Sequence, residues 1–109
     1  MCALNYAVKL WMTNEKGEAV FGNGLAELIE EIDKSHSVLE AASHLEMSYR
    51  YALHRITLAE ERLGEPLVTR SRGGAKGGGS SQVTEFGRDL VKRYRKAQAE
   101  LDCVLKKMR

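Results

Sequence analysis

Two cysteines, one proline and no long apolar run already bound what this 109-residue sequence can be. Cys2 and Cys103 stand near opposite ends, with neither a CxxC spacing nor the count of a disulfide framework. Free thiols in a reducing compartment are therefore expected, and no metal site. The three histidines have no His or Cys partner at ligand spacing. No apolar stretch approaches the roughly 20 residues that a membrane span needs, and no basic segment leads into a hydrophobic region and cleavage site. The expectation is a cytoplasmic protein with no membrane partner. An enzyme would need a nucleophile, a base and an orienting group brought together, and the scattered histidines, cysteines and carboxylates show no such grouping. No catalytic activity and no cofactor are expected.

What is present points to a folded chain. Hydrophobic residues make up 43% and charged ones 29%, too apolar for wholesale disorder and too polar for a membrane protein. At this length a single domain over residues 1–109 is expected, small enough that pairing with a second copy would help to bury apolar surface. The net charge of +2 conceals an asymmetry. Residues 1–47 hold three Lys/Arg against eight Asp/Glu, whereas 48–96 hold eleven against five. The second half has the balance of a phosphate-binding surface, although a charge run is as often only a solvated face.

In chain order, 1–22 reads as a hairpin. Val8, Leu10 and Met12 alternate with Lys9, Trp11 and Thr13, Asn14 to Gly17 has turn chemistry, and Glu18 to Phe21 returns as a second strand. Trp11 is read as a packing residue. Asn23 is a candidate cap for a helix over 23–36, in which Leu25, Leu28, Ile29 and Ile32 recur on one face and Glu27, Glu30, Glu31 and Asp33 decorate the others. That acidic surface should face away from a polyanion.

Residues 37–64 read as a helix-turn-helix. Ser37 and Glu40 fit a capping box, Ala41 and Ala42 permit close approach of another helix, and Ser48 is placed to cap a third helix. The connecting turn lacks the glycine often found there. In the third helix Ala52, Ile56, Ala59 and Leu63 share one face, and Arg50, His54, Thr57 and Glu61 the other. N-terminal residues of a recognition helix meet base edges, and an arginine can bond guanine O6 and N7 together. Arg50 is the first candidate reader, followed by His54. Ser48 and Tyr49 suit phosphate, and Tyr51 and Arg55 suit backbone contact from the flanks. A plain N-cap role for Ser48, core-edge roles for the tyrosines and a merely solvated His54 account for the same residues.

Gly64 and Pro66 stop the helix, and 67–84 reads as a wing. Its arms carry Arg70 and Arg72 and enclose five glycines around Lys76. Such a loop suits close approach to a phosphate backbone, and the Gly-Lys-Ser/Thr of a nucleotide-binding loop is absent. Thr84 can cap a last helix over 85–108, where Leu90, Tyr94, Ala97, Leu101, Val104 and Met108 repeat at alternating spacings of four and three. That seam is expected to pair two copies, unless the helix folds back on its own domain. Arg88, Lys92, Arg93, Arg95 and Lys96 make its first half basic, available to flanking DNA. The fold class expected is mainly α with short β, a winged helix-turn-helix with an N-terminal hairpin and a long C-terminal dimerisation helix.

Phe21-Gly22-Asn23-Gly24, Met47-Ser48-Tyr49-Arg50-Tyr51-Ala52, Glu60-Glu61-Arg62-Leu63-Gly64-Glu65-Pro66-Leu67-Val68, the glycine-rich wing and Thr84-Glu85-Phe86-Gly87 together resemble the DNA-binding domain of ModE-type molybdate-responsive transcription regulators. The same order is similar to the winged helix of LysR-type regulators. The resemblance implies a homodimeric, sequence-specific regulator whose second helix-turn-helix helix enters the major groove of double-stranded DNA at a near-palindromic operator. Full-length ModE-type proteins add a molybdate-binding region, and no oxyanion sensor is visible before Arg109. That leaves room for a separate effector-sensing protein as partner. The competing expectation is an interaction module that docks such a sensor or regulator through its C-terminal helix.

Overall fold

A computed structural model describes residues 3–71 and 80–108. The hairpin pairs β1 (Trp11–Thr13) with β2 (Ala19–Gly22), antiparallel, with Trp11 opposite Gly22 and Met12 opposite Phe21. Its turn closes because Gly17 adopts φ +80° and the Asn14 side chain accepts from the backbone N–H of Lys16 and Glu18, both at 3.0 Å. The strand expected from the alternation is much shorter than its pattern. Only three residues pair, since β2 offers four before the next helix begins, and Leu4, Tyr6 and Val8 lie exposed on irregular backbone.

Helix α1 (Asn23–Ser35) buries Leu25, Leu28, Ile29 and Ile32. Asn23 does not cap it. Gly22 occupies the cap position without a side-chain bond, while Asn23 Oδ1 accepts from Arg95 Nη1 at 2.8 Å. Helix α2 (Val38–His44) follows a left-handed His36 at φ 56°. Half of the expected capping box forms: Ser37 Oγ accepts from the Glu40 N–H at 3.1 Å, but the Ser37 N–H goes to Ser35 Oγ at 3.3 Å instead of to Glu40. The fully buried Ala41 and Ala42 bring α2 close to its neighbours. Where a glycine was missing from the turn, Glu46 takes the left-handed conformation at φ 58°.

Helix α3 (Tyr49–Leu63) is capped by Ser48, whose Oγ accepts from the Tyr51 N–H at 3.0 Å, and ends on Gly64 at φ +76°. Of the stripe expected from periodicity, Ala52, Ile56 and Ala59 are buried and Leu63, at the last turn, is half-buried. Strands β3 (Val68–Ser71) and β4 (Ser80–Val83) form the wing's antiparallel arms, from Val68 opposite Val83 to Ser71 opposite Ser80. Three hydrogen bonds fix the wing to the body. Glu60 Oε2 accepts from the N–H groups of Leu67 at 2.7 Å and Val68 at 3.2 Å, and the Ser81 N–H donates to the His36 carbonyl at 2.8 Å.

Helix α4 (Glu85–Lys107) is capped by Thr84, whose Oγ1 accepts from the Gly87 N–H at 2.9 Å. The apolar repeat along it is not one free seam. Leu90 and Tyr94 are spent in the subunit's own core: Tyr94 meets Phe21 edge-on at 5.7 Å, and its hydroxyl donates to the Leu10 carbonyl at 2.7 Å. Ala97 and Leu101 are half-buried, and Val104 and Met108 are exposed. The basic first half of α4 is likewise partly engaged, because Arg88 pairs with Asp33 at 3.0 Å and Arg95 with Glu30 at 2.6 Å. The acidic outside of α1 thus faces its own α4.

Candidate nucleic-acid interface

With its apolar stripe against the core, α3 turns Arg50, His54, Thr57 and Glu61 outwards, all exposed. Arg50 stands within the first turn of a helix whose N-terminus is satisfied by Ser48, so the free N–H groups and the guanidinium share one end. Ser48 is exposed and its oxygen is already committed to the cap.

Successive residues on a helix differ by about 100°, which puts Tyr49 and Tyr51 on opposite flanks of Arg50. The two flanks have different neighbours. Tyr49 joins Arg70 and Ser80 of the wing and Leu39 of α2 around a groove of about 280 Å³. Arg70 is exposed on β3, opposite Ser81. Leu39 is 62% exposed, about 100° round the helix from the buried Val38. On the other flank Arg55 donates to the Tyr51 hydroxyl at 3.3 Å, its guanidinium 5.9 Å from the Tyr51 ring centre, and both adjoin the hairpin at Trp11. Trp11 is 53% exposed, so packing accounts for only part of its surface. Arg72 and Lys76 lie outside the described residues.

The cations divide into two groups. Arg62, Arg88 and Arg95 each hold a carboxylate, whereas Arg50, Arg55 and Arg70 make no salt bridge among the described residues. Hydrogen bonds donated to Asp33 and to Glu30 push the Arg88 and Arg95 guanidinium groups above their ordinary values. Glu18, bonded to Asn14, is held below the usual carboxylate range. Arg88 and Arg95 are neutralised by carboxylates of α1, and Arg62 by Glu18 beside the hairpin turn, which leaves the arginines around the N-terminal half of α3 unmatched among the described residues.

Residues 25–88 match the family described as bacterial regulatory helix-turn-helix protein, lysR family. The chain belongs to the lysR family of regulatory helix-turn-helix proteins. The matched span runs from the first buried leucine of α1, through α2 and α3 and the wing, into the first turn of α4. This family membership places the chain among DNA-binding transcription regulators. Over 108 residues, 99% of the chain, it is also 31% identical to the molybdenum transport protein ModE of Azotobacter vinelandii. The chain spans 39% of that protein's length, and the likeness agrees with a helix-turn-helix of the ModE type. No helix among the described residues is long and apolar enough to cross a membrane. The described residues also contain no cluster of three or more His, Cys, Asp or Glu able to hold a metal ion.

Proposed function

We propose that the chain is a sequence-specific regulator that binds a near-palindromic operator as a homodimer. The observation that carries this reading is the outer face of α3: a capped N-terminus presenting Arg50 and His54 to solvent, flanked by exposed tyrosines and by arginines that make no salt bridge among the described residues. Arg50 reads a base edge in the major groove, with His54 one turn behind it. Tyr49, Tyr51, Arg55 and the capped turn at Ser48 meet phosphates, and Arg70, Arg72 and Lys76 clamp the adjacent backbone.

Pairing through the distal part of α4 supplies the second reader. Ala97, Leu101, Val104 and Met108 continue the repeat beyond the subunit's core and leave an apolar stripe that a second copy would cover. Two recognition helices then address half-sites about one turn, roughly 34 Å, apart. The name of the Azotobacter relative links that protein to molybdenum transport, so promoters of molybdenum-handling genes are the first operators to try.

The decisive experiment is recovery of bound fragments from genomic DNA at fixed salt, with the protein's mass measured by sedimentation. A shared, near-palindromic motif and a dimer mass are expected. The same α4 stripe also favours a second reading, in which it docks a separate sensor or regulator. Absence of any salt-sensitive DNA affinity would make that reading the leading one.

A further inference from the structure

We propose that the N-terminal hairpin is a second DNA-backbone clamp, on the flank of α3 opposite the wing, in which Trp11 and Lys9 join Tyr51 and Arg55 against sugar and phosphate. This rests on the DNA-binding reading and adds a surface to it. Two clefts, of about 370 and 780 Å³, adjoin at this flank and share Trp11, Gly22 and Arg55. One continues to Tyr51 and His54, on the outer side of α3, and the other to Lys9. Among the described residues no aspartate or glutamate lines either cleft. A lining in which Lys9 and Arg55 face no carboxylate suits an anionic occupant.

The placement selects the kind of anion. His54 belongs both to the outward face of α3 and to the lining of this flank, so an occupant of the first is next to the second. With Arg50 directed at the floor of a major groove, a flank about 100° away confronts the groove wall, which is the phosphate strand. Lys9 is exposed and, like Arg55, makes no salt bridge among the described residues. Trp11 offers a broad apolar ring for a sugar, and the cross-strand position opposite it is Gly22, which has no side chain to cover the ring. The other arginine lining these clefts, Arg62, is already held by Glu18 and the Ala19 carbonyl. The wing and the hairpin would then grip the two sides of the same groove.

Trp11 is the chain's single tryptophan, so the intact protein reports on its own clamp. Binding is followed by anisotropy of a fluorescein-labelled duplex long enough for two half-sites, and Trp11 by emission and acrylamide quenching with the same duplex unlabelled. On saturation Trp11 emission should change and its quenching by acrylamide should fall several-fold. Lys9→Gln, an exposed change that leaves the core untouched, should weaken binding and lower the slope of log affinity against log salt by about one. Trp11→Ala should weaken binding several-fold. Binding with Trp11 still fully open to acrylamide, or an unchanged salt slope in Lys9→Gln, overturns the clamp while leaving the DNA-binding reading intact. Protection of Trp11 by protein concentration alone assigns the patch to a second copy and overturns the clamp as well. No anisotropy change at any salt would sink the DNA-binding reading, and the clamp with it.

Discussion

Replacing Gly87 with alanine sets two effects of opposite sign against each other. Gly87 lies in the first turn of α4, and glycine in a helix costs about 1 kcal/mol relative to alanine. Propensity alone therefore predicts stabilisation. A Cβ built there, however, falls 2.7 Å from the Leu67 carbonyl oxygen and 2.9 Å from Val83 Cγ1. The valine is buried, and the carbonyl is held in place by the Thr84 N–H at 2.9 Å and the Thr84 hydroxyl at 3.2 Å. Neither neighbour yields cheaply, so α4 must lift from the base of the wing. Overpacking costs about 1–3 kcal/mol, and with two contacts under 3.0 Å against atoms that cannot move away the upper part of that range, about 2–3 kcal/mol, applies. This outweighs the helix term and leaves a net loss of about 1–2 kcal/mol. For a domain of this size that is a fall of about 5–15 °C in Tm, read by circular dichroism at matched concentration. Gly24 is the control, because a Cβ there meets nothing within 4 Å. Gly24→Ala should raise Tm by a few degrees. A Gly87→Ala protein as stable as the parent, or a Gly24→Ala protein that loses as much, would refute the packing argument.

Three further outcomes follow from single contacts. Glu60→Ala removes the acceptor for two backbone N–H groups and strands that of the fully buried Leu67; a loss of about 1.5–3 kcal/mol is expected in urea unfolding, with Glu60→Gln losing less, and equal losses would deny the hydrogen-bond account. Glu46→Gly relieves a left-handed non-glycine residue and should stabilise by up to about 1 kcal/mol, whereas a clear loss would show that the side chain itself is needed in the turn. Leu101→Asp, on the stripe beyond the core, should weaken self-association by about tenfold or more while leaving the helical signal of the monomer unchanged; an unaltered dimer mass would exclude the α4 pairing.

The elements were legible where one residue type decides the local backbone. Ser48, Thr84, Gly64 and Gly17 each do in the structure what their chemistry suggested. Periodicity alone located the inward face of α3, because Ala52, Ile56 and Ala59 sit a helical repeat apart on a helix of four turns. Pattern reading failed where a tertiary partner intervened. The repeat along α4 has the same spacing whether it meets another copy or its own core, and only the position of Phe21 and the Leu10 carbonyl claims Tyr94 for the latter, with Leu90 buried one turn before it. Likewise Arg88 and Arg95 read as free cations until α1 brings Asp33 and Glu30 across from them. The alternation through Val8 predicted a long strand, but a strand is only as long as its partner. For the candidate site, Arg50 and His54 were visible as an outward face, whereas the neighbours of Tyr49 and Tyr51 depend on where the wing and hairpin pack.

In the proposed complex Arg50 reads a base from the N-terminal turn of α3. The most direct test of this role compares Arg50→Ala with the parent chain, by anisotropy, on the selected operator, on single-base variants of it and on scrambled duplex at the same salt. Arg50→Ala should lose about 1–3 kcal/mol on the operator, with discrimination abolished at one base pair per half-site and affinity for scrambled DNA nearly unchanged. An equal loss on every duplex would contradict that role, reducing Arg50 to a phosphate contact and removing α3 as the reader.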